Sequence, residues 1–173
     1  FPKINLTMEV YDPEVGFINN LQASDLLVLE NEKPVQGVEL MQVSPGVQFV
    51  AAINPGPSFA IRDSQGNTRY DKVARQLQGW AQANSGATDD LSLLANSGPE
   101  STHLPNTSQW LASLEGYQPD VKNATPSFDI LVKAIDVASD PVSRTGMKRA
   151  VFLVTSPPEW NDETAFQDMI KRA

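Results

Sequence analysis

The sequence predicts an α/β domain, a doubly wound and mostly parallel sheet with helices on both faces, preceded by a short antiparallel β unit. Three observations carry that prediction. Residues 47–53, 91–95 and 150–154 are short, mostly apolar runs, the pattern of strands buried on both faces. Between them lie segments whose apolar residues recur at helical spacing, with polar residues off the stripe. Strands that alternate with helices in this way form parallel sheets covered on both sides, with right-handed crossovers.

Composition bounds the function. A chain of 173 residues fits one medium domain, or one with a small appendage, and is long enough to bury a core without metal or disulfide staples. The formal charge is −8, and the basic residues cluster no more densely than in a Lys-Arg pair such as Lys148-Arg149, so no patch is present to neutralise phosphates. Nucleic acid and anionic lipid are therefore not expected as partners. The absence of cysteine excludes disulfides, thiolate catalysis and Cys-based zinc sites. No run approaches the length of a membrane span. Phe1-Pro2-Lys3 is not an initiating sequence, so the chain is expected to derive from something longer.

The elements follow in order. Ile4, Leu6, Met8 and Val10 alternate with polar residues, predicting a half-buried strand, and residues 25–30 and 35–43 predict two more around a turn at Asn31-Glu32-Lys33. Residues 1–45 thus read as a β extension, with Ser44-Pro45-Gly46 as the natural boundary and residues 46–173 as the α/β domain. The strand at 47–53 runs into Asn54-Pro55-Gly56-Pro57-Ser58, which can neither continue it nor start a regular helix. Residues 68–84 predict a helix with Val73, Leu77, Trp80 and Ala81 on one stripe, stopped by Ser85-Gly86. After the strand at 91–95, residues 96–105 read as a Ser/Gly/Pro-rich loop, and Asn106 or Thr107 caps a helix carrying Trp110, Leu111 and Leu114. Thr125-Pro126 reads as the N-cap and first position of a helix that ends at Asp140-Pro141. The strand at 150–154 turns out through Thr155-Ser156-Pro157-Pro158 into a last helix at 161–172.

Three of these loops carry a resemblance. Asn54-Pro55-Gly56-Pro57-Ser58, Thr125-Pro126-Ser127-Phe128-Asp129 and Val154-Thr155-Ser156-Pro157 stand where a von Willebrand factor type A domain has the loops of its metal-ion-dependent adhesion site. Thr125-Pro126 with its downstream helix is the most specific match, followed by Phe152-Leu153-Val154-Thr155. The stretch from Val10-Tyr11-Asp12 to Leu29-Glu30-Asn31 is similar to the β segment that precedes this domain in many bacterial relatives. The resemblance covers residues 47–173 and implies two further strands beyond the helix at 161–172. It also implies an extracytoplasmic (secreted, periplasmic or cell-surface) bacterial protein.

The site that the resemblance implies is degenerate. Asn54 replaces the family's first Asp, Gly56 its first Ser and Ser156 its last Asp; only Ser58 and Thr125 match as coordinating types. Mg²⁺ prefers carboxylate or phosphate oxygens, and these residues offer no formal charge, so no metal or other cofactor is expected. The expected function is a non-catalytic protein–protein interaction, adhesion or scaffold module. Its binding face is the rim of residues 54–59, 123–127 and 156–160, with a protein partner and with Trp160 as an aromatic anchor, unless that ring simply packs. One alternative is Mg²⁺-dependent adhesion through a tolerant site. Another is a serine hydrolase using Ser58, but Gly-x-Ser-x-Gly is absent and only His103 offers an imidazole base. His103 itself reads as an exposed loop residue without a role.

Overall fold

The structure, a computed structural model, describes residues 4–84, 89–157, 167, 170 and 171. The chain divides into two compact units, Phe1–Ser44 and Pro45–Ala173.

The first unit holds two hairpins of two-residue strands. β1 (Tyr11–Asp12) pairs with β2 (Gly16–Phe17), and β3 (Leu29–Glu30) with β4 (Lys33–Pro34), both antiparallel. In the first turn the Asp12 carboxylate accepts from the backbone N–H groups of Glu14 and Val15. In the second, Asn31 and Glu32 both have positive φ (49° and 66°), the conformation that a two-residue turn needs to match strand twist. The longer strands expected at 4–10, 25–30 and 35–43 do not form: residues 23–25 are a 3₁₀ turn, only Leu29–Glu30 of the second is strand, and 4–10 and 35–43 are irregular. The alternation at Ile4, Leu6 and Met8 is real, but these side chains are 75%, 83% and 50% exposed. An alternating strand is stabilised by the surface it covers, and no described residue of 4–44 is buried.

The second unit is mixed α/β. Its four-stranded sheet has the order β7-β6-β5-β8, built from β5 (Val47–Asn54), β6 (Asp90–Ala95), β7 (Glu100–Leu104) and β8 (Lys148–Thr155). β5 runs parallel to both β6 and β8, while β7 is antiparallel to β6. An antiparallel strand at the edge of a parallel sheet is common in this class of fold. The strand at Glu100–Leu104 corrects the reading of 96–105 as loop. Glu, Ser, Thr and His carry little strand signal, and at an edge the backbone ladder outweighs it.

Helices cover both faces. α1 (Arg69–Ala83) and α2 (Thr107–Gly116) bury Tyr70, Leu77, Ala81, Trp110 and Leu114 against Ala51, Ile53, Leu91 and Leu93. α3 (Asp129–Ser139) buries Ile130, Ala134 and Ala138 against Val50, Ala52 and Leu94 on the other face. Because successive strand residues face opposite ways, β5 and β6 serve both cores, and their largely apolar character, broken inside the strands by the buried Gln48 and Ser92, follows from this. α1 starts where the sequence predicts: Thr68 accepts from the Asp71 N–H and Asp71 from the Thr68 N–H, a reciprocal cap. Asn106 caps α2 through the Gln109 N–H.

β8 is less buried than its composition suggests. Lys148 to Phe152 are all exposed, Val151 at 38% and Phe152 at 48%. Among the described residues β8 forms an edge of the sheet, so only its β5 side is enclosed. Gln167, Ile170 and Lys171 are helical; the rest of the helix expected at 161–172, together with Trp160, lies outside the described residues. Among the described residues no helix is long and apolar enough to cross a membrane.

Candidate functional site

From β5 the chain crosses to β6 on one side and later to β8 on the other. The direction of winding therefore reverses between β5 and β8. The carboxyl ends of two strands at such a reversal leave a crevice, the usual ligand position of open α/β sheets. Here that position is occupied by Asn54 at the end of β5 and by Thr155-Ser156 at the end of β8.

Asn54 is the hub. It is 3% exposed, and its side chain joins three segments. Its Nδ2 donates to the Ser127 carbonyl (2.9 Å) and to Thr155 Oγ1 (3.0 Å). Its Oδ1 accepts from the Ser127 N–H (3.0 Å) and, at 3.5 Å, from Asn96 Nδ2. Its carbonyl accepts from the Ser156 N–H (3.0 Å), which carries the β5–β8 ladder one residue past the strand end. Asn96 Nδ2 also donates to the Thr125 carbonyl (2.7 Å).

The loop after β5 is equally committed. Pro57–Ala60 form a 3₁₀ turn closed by Phe59 N–H to the Gly56 carbonyl, and Phe59 is driven into the core at 5% exposure. That turn aims the Ser58 hydroxyl at Ser156 Oγ, 2.5 Å away. Gly56 is wedged between the other two loops. A Cβ there would lie 2.6 Å from Pro126 Cγ and 2.8 Å from Ser156 Cβ. Its φ of −170° suits any residue, so the constraint is space alone. Gly56→Ala should therefore cost about 1–3 kcal/mol by overpacking, read as a lowered urea midpoint with unchanged slope.

The structure thus brings Asn54, Gly56, Ser58 and Ser156 into one packed cluster, with Thr125 at its exposed margin; Trp160 lies outside the described residues. It corrects the reading of Thr125-Pro126 as a helix start. α3 begins at Asp129, and Phe128 is its N-cap residue. The Asn54 amide takes both the N–H and the carbonyl of Ser127, which holds 125–127 as extended loop, and Ser127 Oγ then accepts from the Asp129 N–H. A local Thr-Pro signal loses to a tertiary contact.

Among the described residues the cluster is side-chain amide, three hydroxyls and backbone carbonyls, with no carboxylate. The Asn54 amide is bonded to Ser127, Thr155 and Asn96, and the Ser58 and Ser156 hydroxyls are bonded to each other. A hard divalent cation would need anionic oxygen, or several free neutral ones. These residues do not fit one.

Sequence reasoning missed two features of the surrounding frame. Tyr70 and Tyr117 form a relay: Tyr70 OH donates to the Tyr117 carbonyl, and Tyr117 OH to the Asn96 carbonyl. Burial pushes both phenols up to about 12, so they stay protonated donors and hold the Asn96 turn beneath the rim. The second is His103, which is no free loop residue. It lies on β7 and contacts two carboxylates at the opposite, amino-terminal end of the sheet.

No protein-family model matches this chain, and no curated protein matches its sequence.

Proposed function

We propose that the α/β unit is a non-catalytic binding module, a protein-interaction, adhesion or scaffold domain. Its contact surface is the rim at the carboxyl ends of β5 and β8, and it needs no metal ion. The observation that supports this most is the convergence of three loops, distant in sequence, on Asn54 at the reversal point of the sheet. A rim whose polar groups are paired internally is rigid, so a partner meets a preformed surface and little ordering entropy opposes binding. The exposed Thr125 and Pro57 give it margins that reach solvent.

The strand order, with helices on both faces, agrees with the doubly wound von Willebrand A architecture that the sequence resembles. On that resemblance the protein is extracytoplasmic. The separation of Ser58 from His103 also favours a non-catalytic role. Ser58 follows the carboxyl end of β5, and His103 is bonded to Asp90 at the amino end of β6.

Two measurements test the proposal. Calorimetric titration with Mg²⁺ and Mn²⁺ should give no binding tighter than about millimolar, the weak end for protein sites. A photo-crosslinker on the rim should capture the same partner from the native source with EDTA or with Mg²⁺. Thr125→Arg should abolish capture, and Gln76→Arg on the exposed side of α1 should leave it unchanged. Capture that requires a divalent ion, or that survives Thr125→Arg, overturns the reading.

A further inference from the structure

At the amino end of the sheet the pairing of β6 with β7 is irregular. Leu91 faces Leu104 and Leu93 faces Ser101, so one residue of β6, Ser92, stands opposite two of β7, Thr102 and His103. This is a bulge, and His103 carries its strain with a φ of +52°. His tolerates that conformation better than most residues, but it still has a cost. The surroundings hold it in place. The His103 N–H donates to Ser92 Oγ (3.0 Å), a hydroxyl that is itself fully buried.

The bulge re-aims the ring. Its Nδ1 lies 3.0 Å from Asp90 Oδ2 on β6, and its Nε2 lies 3.0 Å from Asp140 Oδ2 at the C-cap of α3. A neutral imidazole carries one N–H and would turn a lone pair towards one of these carboxylates. Only the imidazolium donates to both. The other charged groups around the ring have posts of their own. Asp89 accepts from the Val47 N–H, Arg149 donates to the Asp140 carbonyl, and Arg144 Nε donates to the Pro45 carbonyl. Asp89, Asp90, His103, Asp140 and Arg144 line one open cavity of about 520 Å³. The opposite end of β7 is tied to α3 separately, by the ion pair of Glu100 with Lys133.

We propose that His103 is a proton-operated clip: as imidazolium it fastens the end of β7 to the C-terminus of α3, and on losing a proton it frees that end and opens the cavity beside it. The two carboxylates, Asp90 first and then Asp140, raise the pKa of His103, while its partial burial lowers it. A raised folded pKa fixes the sign. The clip contributes fully below the unfolded value and is lost as pH rises through the higher folded one.

His103 is the one histidine of the chain, so its ring proton resonance needs no assignment. In the intact protein its midpoint should lie above the free value of about 6.5, and Asp140→Asn should move it down. Protection of the β7 amides against hydrogen exchange, corrected for intrinsic rates, should fall as pH passes the midpoint. His103→Asn tolerates the same backbone but does not titrate, so its protection should be flat across this range. A midpoint at or below the free value, or wild-type protection that ignores pH, would overturn the proposal.

Discussion

Asn54→Asp is expected to destabilise the protein by about 3–5 kcal/mol at neutral pH, the cost of leaving a charge buried without a partner. The change removes no volume, so packing contributes little. It converts a donor into an acceptor. Where Nδ2 gave hydrogen bonds to the Ser127 carbonyl and Thr155 Oγ1, a carboxylate oxygen would face the carbonyl oxygen at about the same 2.9 Å. Thr155 cannot simply turn its proton towards the intruder, because its hydroxyl already donates to the Ser156 carbonyl (2.6 Å). The new group, in a site 3% exposed, should ionise above the free Asp value of about 3.9. The folded state then binds the proton more tightly than the unfolded chain. The variant is least impaired below the unfolded value, and its stability falls as pH rises through the folded one. Urea titrations at acid and neutral pH check both parts. Equal penalties at the two pH values would show that the amide is not the electrostatic hub described above.

The reach of the sequence follows the same physics. The runs at 47–53 and 91–95 were legible because a strand shared between two helix layers must be apolar on both sides, a signature that local reading detects. The cap at Asn106 was legible because it is settled within three residues. What failed was decided at a distance. β7 is polar and half-exposed, and only its ladder with β6 makes it a strand. Thr125-Pro126 carries a sound helix-start signal, overridden by Asn54, 73 residues away from its Ser127 partner. The alternating pattern at residues 4–10 promises a strand, but no described residue of that unit is buried.

The rim and the His103 cluster differ in the same respect. Asn54, Ser58, Thr125 and Ser156 lie in the three loops that resemble those of an adhesion site, and that resemblance was enough to nominate them together. Nothing in Ser101-Thr102-His103-Leu104-Pro105 announces two carboxylate partners. Asp90 is 13 residues away and Asp140 is 37, and the link exists only because a bulge turns the ring. The one available hint was Asp140-Pro141 ending α3, which leaves a carboxylate at a helix C-terminus. Such a charge is unfavourable beside the helix dipole unless a cation answers it.

Trp110→Ala should have an effect as large as Asn54→Asp, about 3–5 kcal/mol, through a cavity instead of a charge. The indole is fully buried beneath α2, edge-on to Trp80 at 5.6 Å, and Trp80 in turn packs on Phe49 of β5 at 4.6 Å. The core on this face, from α2 through α1 to β5, is therefore continuous through three aromatic rings, and truncating one leaves its neighbours with a void. Trp110 also has a polar duty. Its Nε1 donates to the carbonyl of Ser92 (3.1 Å), the residue opposite the bulge, whose hydroxyl serves His103. Trp110→Phe keeps most of the apolar area but leaves that carbonyl without this donor, so it should cost less, about 1–3 kcal/mol. Urea unfolding of both variants separates the two contributions. If the phenylalanine variant lost as much as the alanine one, the hydrogen bond would outweigh the packing, and Ser92 would be the true anchor of this face.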